Sequence, residues 1–196
     1  MRALIMVLTI GAGLVGAAGF QVQGNMSEAW DKSSLAVRTG ESGAKLWFNL
    51  PAHSGITVVA RPDTGATVTA RLNMPATVDL RLPTTYEITV TCDSGEGQWT
   101  CRDALGSPEL VGFGTSVDAK RRARVTYVAD EEKEVWTFTW PKEATFLVRE
   151  LNSSGKVIQE QDLYYGNELE LYGSGSFTFE VAATDGSGEF KAKKSQ

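Results

Sequence analysis

The chain aligns with itself at a fixed offset, and this repeat narrows its fold more than any other feature. At an offset of 90, Leu35 and Val37 meet Val125 and Tyr127, and Leu46, Phe48, Leu50 and Pro51 meet Trp136, Phe138, Trp140 and Pro141. Ile56 and Val58 meet Phe146 and Val148, Gly65 meets Gly155, and Val68 meets Ile158. One inserted residue then moves the offset to 91: Val78 and Leu80 meet Leu169 and Leu171, and Tyr86, Ile88 and Val90 meet Phe177, Phe179 and Val181. Gly95 and Gly97 meet Gly186 and Gly188, and Trp99 meets Phe190.

Within each segment the matched residues fall two apart, so each segment is a half-buried strand that shows alternate side chains to a core. Turn formers separate the segments: Pro62-Asp63-Thr64-Gly65, Asp93-Ser94-Gly95, Asn152-Ser153-Ser154-Gly155 and Asp185-Gly186. Helical periodicity is absent. The expected fold is therefore all-β, two tandem small antiparallel sandwiches of jelly-roll type, over residues 27–105 and 123–194. Residues 106–122, with Gly106, Pro108, Gly112 and Gly114, read as a linker. It ends in the basic run Lys120-Arg121-Arg122-Ala123-Arg124, read as a solvated face, as are Asp130-Glu131-Glu132 and the terminal Lys191, Lys193 and Lys194.

Met-Arg, an uncharged apolar run from Ala3 to Ala18, and the small residues Ala17, Ala18 and Gly19 have the order of a secretory signal peptide over residues 1–19. The run contains Gly11-Ala12-Gly13-Leu14-Val15-Gly16, which fits the dinucleotide-binding fingerprint literally. No helix or further βα unit follows it, so a nucleotide site is not expected. The glycines and the short length also argue against a stable membrane span. Export places the two cysteines in an oxidising compartment, and the repeat replaces Cys92 and Cys101 by Ala183 and Ala192. A pair exchanged for a pair reads as a disulfide across the hairpin between them.

A net charge of −5 argues against general nucleic-acid binding. The closing hairpins, Tyr86-x-Ile88-x-Val90 to Gly95-x-Gly97-x-Trp99 and Phe177-x-Phe179-x-Val181 to Gly186-x-Gly188-x-Phe190, resemble the last strands of the bacterial pre-peptidase C-terminal (PPC) domain family. Phe48-Asn49-Leu50-Pro51-Ala52 is similar to an early strand of that family. The resemblance implies small jelly-roll-like sandwiches attached to secreted hydrolases, serving secretion, substrate attachment or calcium binding without catalysing a reaction.

Few residues suggest chemistry. The single histidine, His53, sits in a turn with no nucleophile elbow nearby, so it reads as an exposed turn residue. Asp93 and Glu96, and Asp185 and Glu189, place oxygen atoms in tight turns where calcium is the candidate cation, against the plainer reading of Asp-Gly as a hairpin turn. Trp47 and Tyr172 fall on the outward phase of their strands, and at least one of Tyr164 and Tyr165 must face outward. Such aromatics can stack on sugars or anchor a protein. The expected function is an exported, non-catalytic binding or accessory module of the cell envelope or extracellular space, with an extracellular or periplasmic protein or glycan as partner and no cofactor. A secreted hydrolase with an unrecognised carboxylate pair, or a purely structural envelope protein, are the alternatives.

Overall fold

In a computed structural model, which describes residues 19–27, 32–129, 133–140, 145–152, 154–163, 168–172 and 175–194, the alternation becomes strands throughout. The first eight are β1 (Phe20–Met26), β2 (Lys32–Arg38), β3 (Ala44–Asn49), β4 (Gly55–Pro62), β5 (Val68–Leu72), β6 (Ala76–Leu80), β7 (Thr85–Ser94) and β8 (Gly97–Leu105). The second eight are β9 (Glu109–Val117), β10 (Ala123–Ala129), β11 (Lys133–Thr139), β12 (Thr145–Leu151), β13 (Val157–Leu163), β14 (Glu168–Tyr172), β15 (Gly175–Asp185) and β16 (Gly188–Lys194). No helix occurs among the described residues, and none is long and apolar enough to cross a membrane. Residues 1–18 of the expected leader lie outside the described residues, as do Tyr164, Tyr165 and Asp130-Glu131-Glu132.

One sheet runs β13-β12-β15-β10-β1-β8-β3-β6 and the other β14-β11-β16-β9-β2-β7-β4-β5. The repeat carries β1–β8 onto β9–β16, and that exchange turns the first strand order into the second read backwards. Each unit thus gives four strands to each sheet, in the jelly-roll arrangement.

The units are not two separate sandwiches joined by a tether. Both sheets run through both units, by antiparallel pairing of β1 with β10 and of β2 with β9. The segment read as a linker, 106–122, contains β9, which pairs with β16 on one side and β2 on the other. The first unit likewise begins at β1, seven residues before the expected start at 27. Glycines in both strands sit where another group approaches closely. At Gly24 a β-carbon would lie 2.5 Å from Trp99 Cζ2. At Gly114 it would lie 2.8 Å from Ser34 Oγ and 2.9 Å from the Phe190 carbonyl oxygen.

The inward phase of each strand fills the space between the sheets. Phe48, Trp99, Phe113, Phe190, Phe146 and Trp140 form a path of ring contacts with successive centroids 6.0, 6.4, 5.9, 6.5 and 6.0 Å apart. The path crosses from one unit to the other between Trp99 on β8 and Phe113 on β9. Beside it a buried polar seam joins the units: Ser33 Oγ and Thr115 Oγ1 are 2.7 Å apart, and Asn25 Nδ2 donates to the Ser116 carbonyl at 2.9 Å. These bonds satisfy polar groups that burial would otherwise penalise.

The inserted residue of the second unit sits earlier than the sequence match suggests. A bulge between Glu150 and Leu151 absorbs it, so that Val68, opposite Ala60, corresponds to Gln159, opposite Glu150, and not to Ile158. Ile158 is 57% exposed as a result.

Candidate functional site

The predicted site residues are scattered over the molecule. Cys92 and Cys101 are thiols, not a disulfide, which corrects the expected staple. The hairpin opens at Gly95–Gly97 into opposite layers: Cys92 lies opposite Ile56 in one sheet, and Cys101 opposite Val22 and Phe48 in the other. Packed sheets stand about 10 Å apart, whereas a disulfide usually joins Cα atoms about 5–7 Å apart. The Cys92 thiol lies instead 3.6 Å from the Gly95 carbonyl oxygen. Burial, and then the charge of Asp103, push the Cys101 thiol well above its ordinary range, so it stays protonated and packs as a small apolar group.

The acidic turns do not converge. Asp93 accepts a hydrogen bond from Thr57 Oγ1 at 2.7 Å, and Glu96 lines a depression of about 520 Å³ together with Lys120 and Arg121. Asp185 and Glu189 flank the β15–β16 turn, where Glu189 lies 3.9 Å from Lys191 Nζ. Among the described residues no group of three or more His, Cys, Asp or Glu side chains is placed to hold a metal. His53 is exposed in the β3–β4 turn at φ 61°. Trp47 is half-buried on the outer face of its sheet, opposite Thr77 and Arg102, and Tyr172 lies opposite Lys133 in the other sheet, so the two do not share a face.

The basic run is exposed, as read, and its arginines are also engaged in ion pairs. Asp118 accepts the backbone N–H groups of Lys120 and Arg121, each at 2.7 Å, and lies 3.0 Å from the Arg121 guanidinium. Burial raises the pKa of the Asp118 carboxyl, but these hydrogen bonds and the Arg121 charge outweigh it and leave the carboxyl below its ordinary range. Arg122 and Arg124 reach Glu180 at 2.7 and 2.8 Å. Glu180 is only 3% exposed; its burial opposes ionisation, yet the bonds from Arg124 and Arg122 hold its pKa low.

A broad concavity that sequence reading missed is created by β9. On the outer face of the second sheet, across β7, β2, β9, β16 and β11, a groove encloses about 1250 Å³. Its floor is low because Gly112 projects no side chain, Ala36 lies opposite it on β2, and Ser34 follows two residues away on the same face. A β-carbon on Gly112 would lie 3.3 Å from Ala36 Cβ, so the strip is small by packing as well as by sequence. Arg38, Lys191, Lys193 and Lys194 line it, against the two acids Glu87 and Glu109. Glu109 is held between Arg38 Nη1 at 2.9 Å and Lys194 Nζ at 3.2 Å, which fixes that end of the rim. The groove is therefore cationic on balance in a chain of net charge −5. Its signal in the sequence was present: the glycines read as linker and the terminal lysines read as solvated face meet here.

The fold defines an all-β protein of repeated jelly-roll units. No family model matches the chain, and no curated protein matches it. Among solved structures it is similar to procruciferin, an 11S globulin from Brassica napus, at 7% identity over 91% of this chain and 76% of that one, TM-score 0.32. It is also similar to vicilin from Corylus avellana, at 8% identity over 89% and 74%, TM-score 0.31. Oxalate decarboxylase from Bacillus subtilis is similar at 6% identity over 90% and 72%, TM-score 0.26. Likeness of this degree brings neither an activity nor a ligand to this chain.

Proposed function

We propose that the chain is an exported, non-catalytic binding module that takes an extended acidic segment of a protein at or outside the cell envelope. The observation that carries this reading is the groove of the second sheet, where a side-chain-poor strip is flanked by Arg38, Lys191, Lys193 and Lys194. An extended segment can lie on such a strip, and cationic side chains on the two strands β2 and β16 would hold its charges by steering and by charge-assisted hydrogen bonds. The leader and the PPC-like hairpins support an accessory role outside the cytoplasm.

Titrating the chain beginning at Phe20 with a fluorescent poly-glutamate peptide tests the reading. Saturable binding that weakens with salt is expected, and the double reversal Lys191→Glu with Lys193→Glu should lower affinity by at least about tenfold. Binding indifferent to that reversal, or none, would overturn the reading.

A further inference from the structure

We propose that the leader is cut between Gly19 and Phe20, and that the α-ammonium group this leaves on Phe20 is bound by Asp103. The inference rests on the reading of the chain as exported. Phe20 opens β1 with its ring buried, and its backbone nitrogen donates to Asp103 Oδ1 at 3.1 Å. Asp103 follows Trp99 and Cys101 on the inward phase of β8 and is half-buried. Among the described residues no cationic side chain is paired with it.

The repeat supplies the independent argument. Phe20 lies opposite Tyr127, and Leu110 opposite Val37; since Val37 and Tyr127 are repeat partners, Phe20 corresponds to Leu110 and Gly19 to Glu109. Asp103 corresponds to Lys194 at the offset of 91. In the second unit Lys194 Nζ stands 3.2 Å from Glu109 Oε1, an ion pair that ties the end of the last strand to the start of the first. In the first unit the end of the last strand carries the negative charge, and Gly19 has no side chain with which to answer it. A main-chain ammonium on Phe20 completes the same tie with the signs exchanged.

The sequence suits that cut. Ala17 and Gly19 put small residues at the third and first positions before the bond, as a leader peptidase requires. Water, with that peptidase as catalyst, adds across the amide. Gly19 leaves as a carboxylate, and the Phe20 nitrogen, which held one hydrogen, ends as –NH3+. An α-amino group titrates near about 7.7–8.0, so it is charged at neutral pH. Because Gly19 and Phe20 are both buried in the folded chain, cutting precedes the closure of β1 into its sheet.

Expression of the full 196-residue chain in a host with export machinery, followed by intact mass and N-terminal sequencing, tests the cut. A mature chain beginning at Phe20 is expected. A first residue of Gly19 or any other position overturns the proposal and leaves the export reading standing, whereas a full-length chain retained in the cytoplasm overturns both. The ion pair is tested on a chain released from a fusion so that Phe20 comes first, with its amine untouched or acetylated. Asp103→Asn should lower Tm by about 2–4 °C in the amine form and by clearly less in the acetylated form. An equal drop in both forms overturns the pairing.

Discussion

Single positions show where the two copies have diverged in burden. Ala60 and Glu150 occupy equivalent inward places, the first packed in the core and the second a carboxylate only 7% exposed. Among the described residues nothing pairs with Glu150, and burial alone raises its pKa. Between the unfolded value, about 4.3, and the raised folded one, the native state binds more protons than the unfolded state. Stability from this group therefore falls as pH rises through that window. Glu150→Leu should then gain on the order of 1 kcal/mol at pH 7 and little at pH 4, read by urea unfolding at both. A loss at pH 7 would show that the carboxylate is supported. Glu180 is the opposite case: it is as buried, but on the outer face, and Arg122 and Arg124 cover and ionise it. Sequence could not separate the two, because the alternation gives the face of a residue and not its distant partners.

At the scale of elements, hairpins and paired strands were legible because hydrophobic residues two apart admit one register. The strand-by-strand match of β2–β8 with β10–β16 follows from that pattern. β1 and β9 were not legible. Each is a central strand whose glycines and small polar residues serve close packing, so composition alone makes β9 look like a tether. The cysteines failed for a related reason: strand phase is local, whereas the departure of β7 and β8 into different sheets is set by their long-range pairing. Phe113 decides between the two readings of β9. Phe113→Ala should cost about 3–5 kcal/mol, since the ring bridges Trp99 and Phe190. In a solvated linker the same change would stay within about 0.5 kcal/mol, and denaturant midpoints of the two proteins would coincide.

For the whole molecule, the repeat predicted the unit but not how the units join. Sandwiches in tandem conserve each core and leave edges exposed; here the central edges are consumed by β1–β10 and β2–β9 pairing, so the units share two sheets and one aromatic path. The groove exists only in that arrangement, because β2 and β7 come from one unit and β9, β11 and β16 from the other. Nothing in either copy alone marks it. Shared sheets also mean that neither unit can lose its order without exposing the seam of the other. Calorimetry on the chain beginning at Phe20 measures this directly: a single heat-absorption peak is expected, with calorimetric and van't Hoff enthalpies equal. Two resolved peaks, or a calorimetric enthalpy near twice the van't Hoff value, would contradict it and return the molecule to two independent sandwiches.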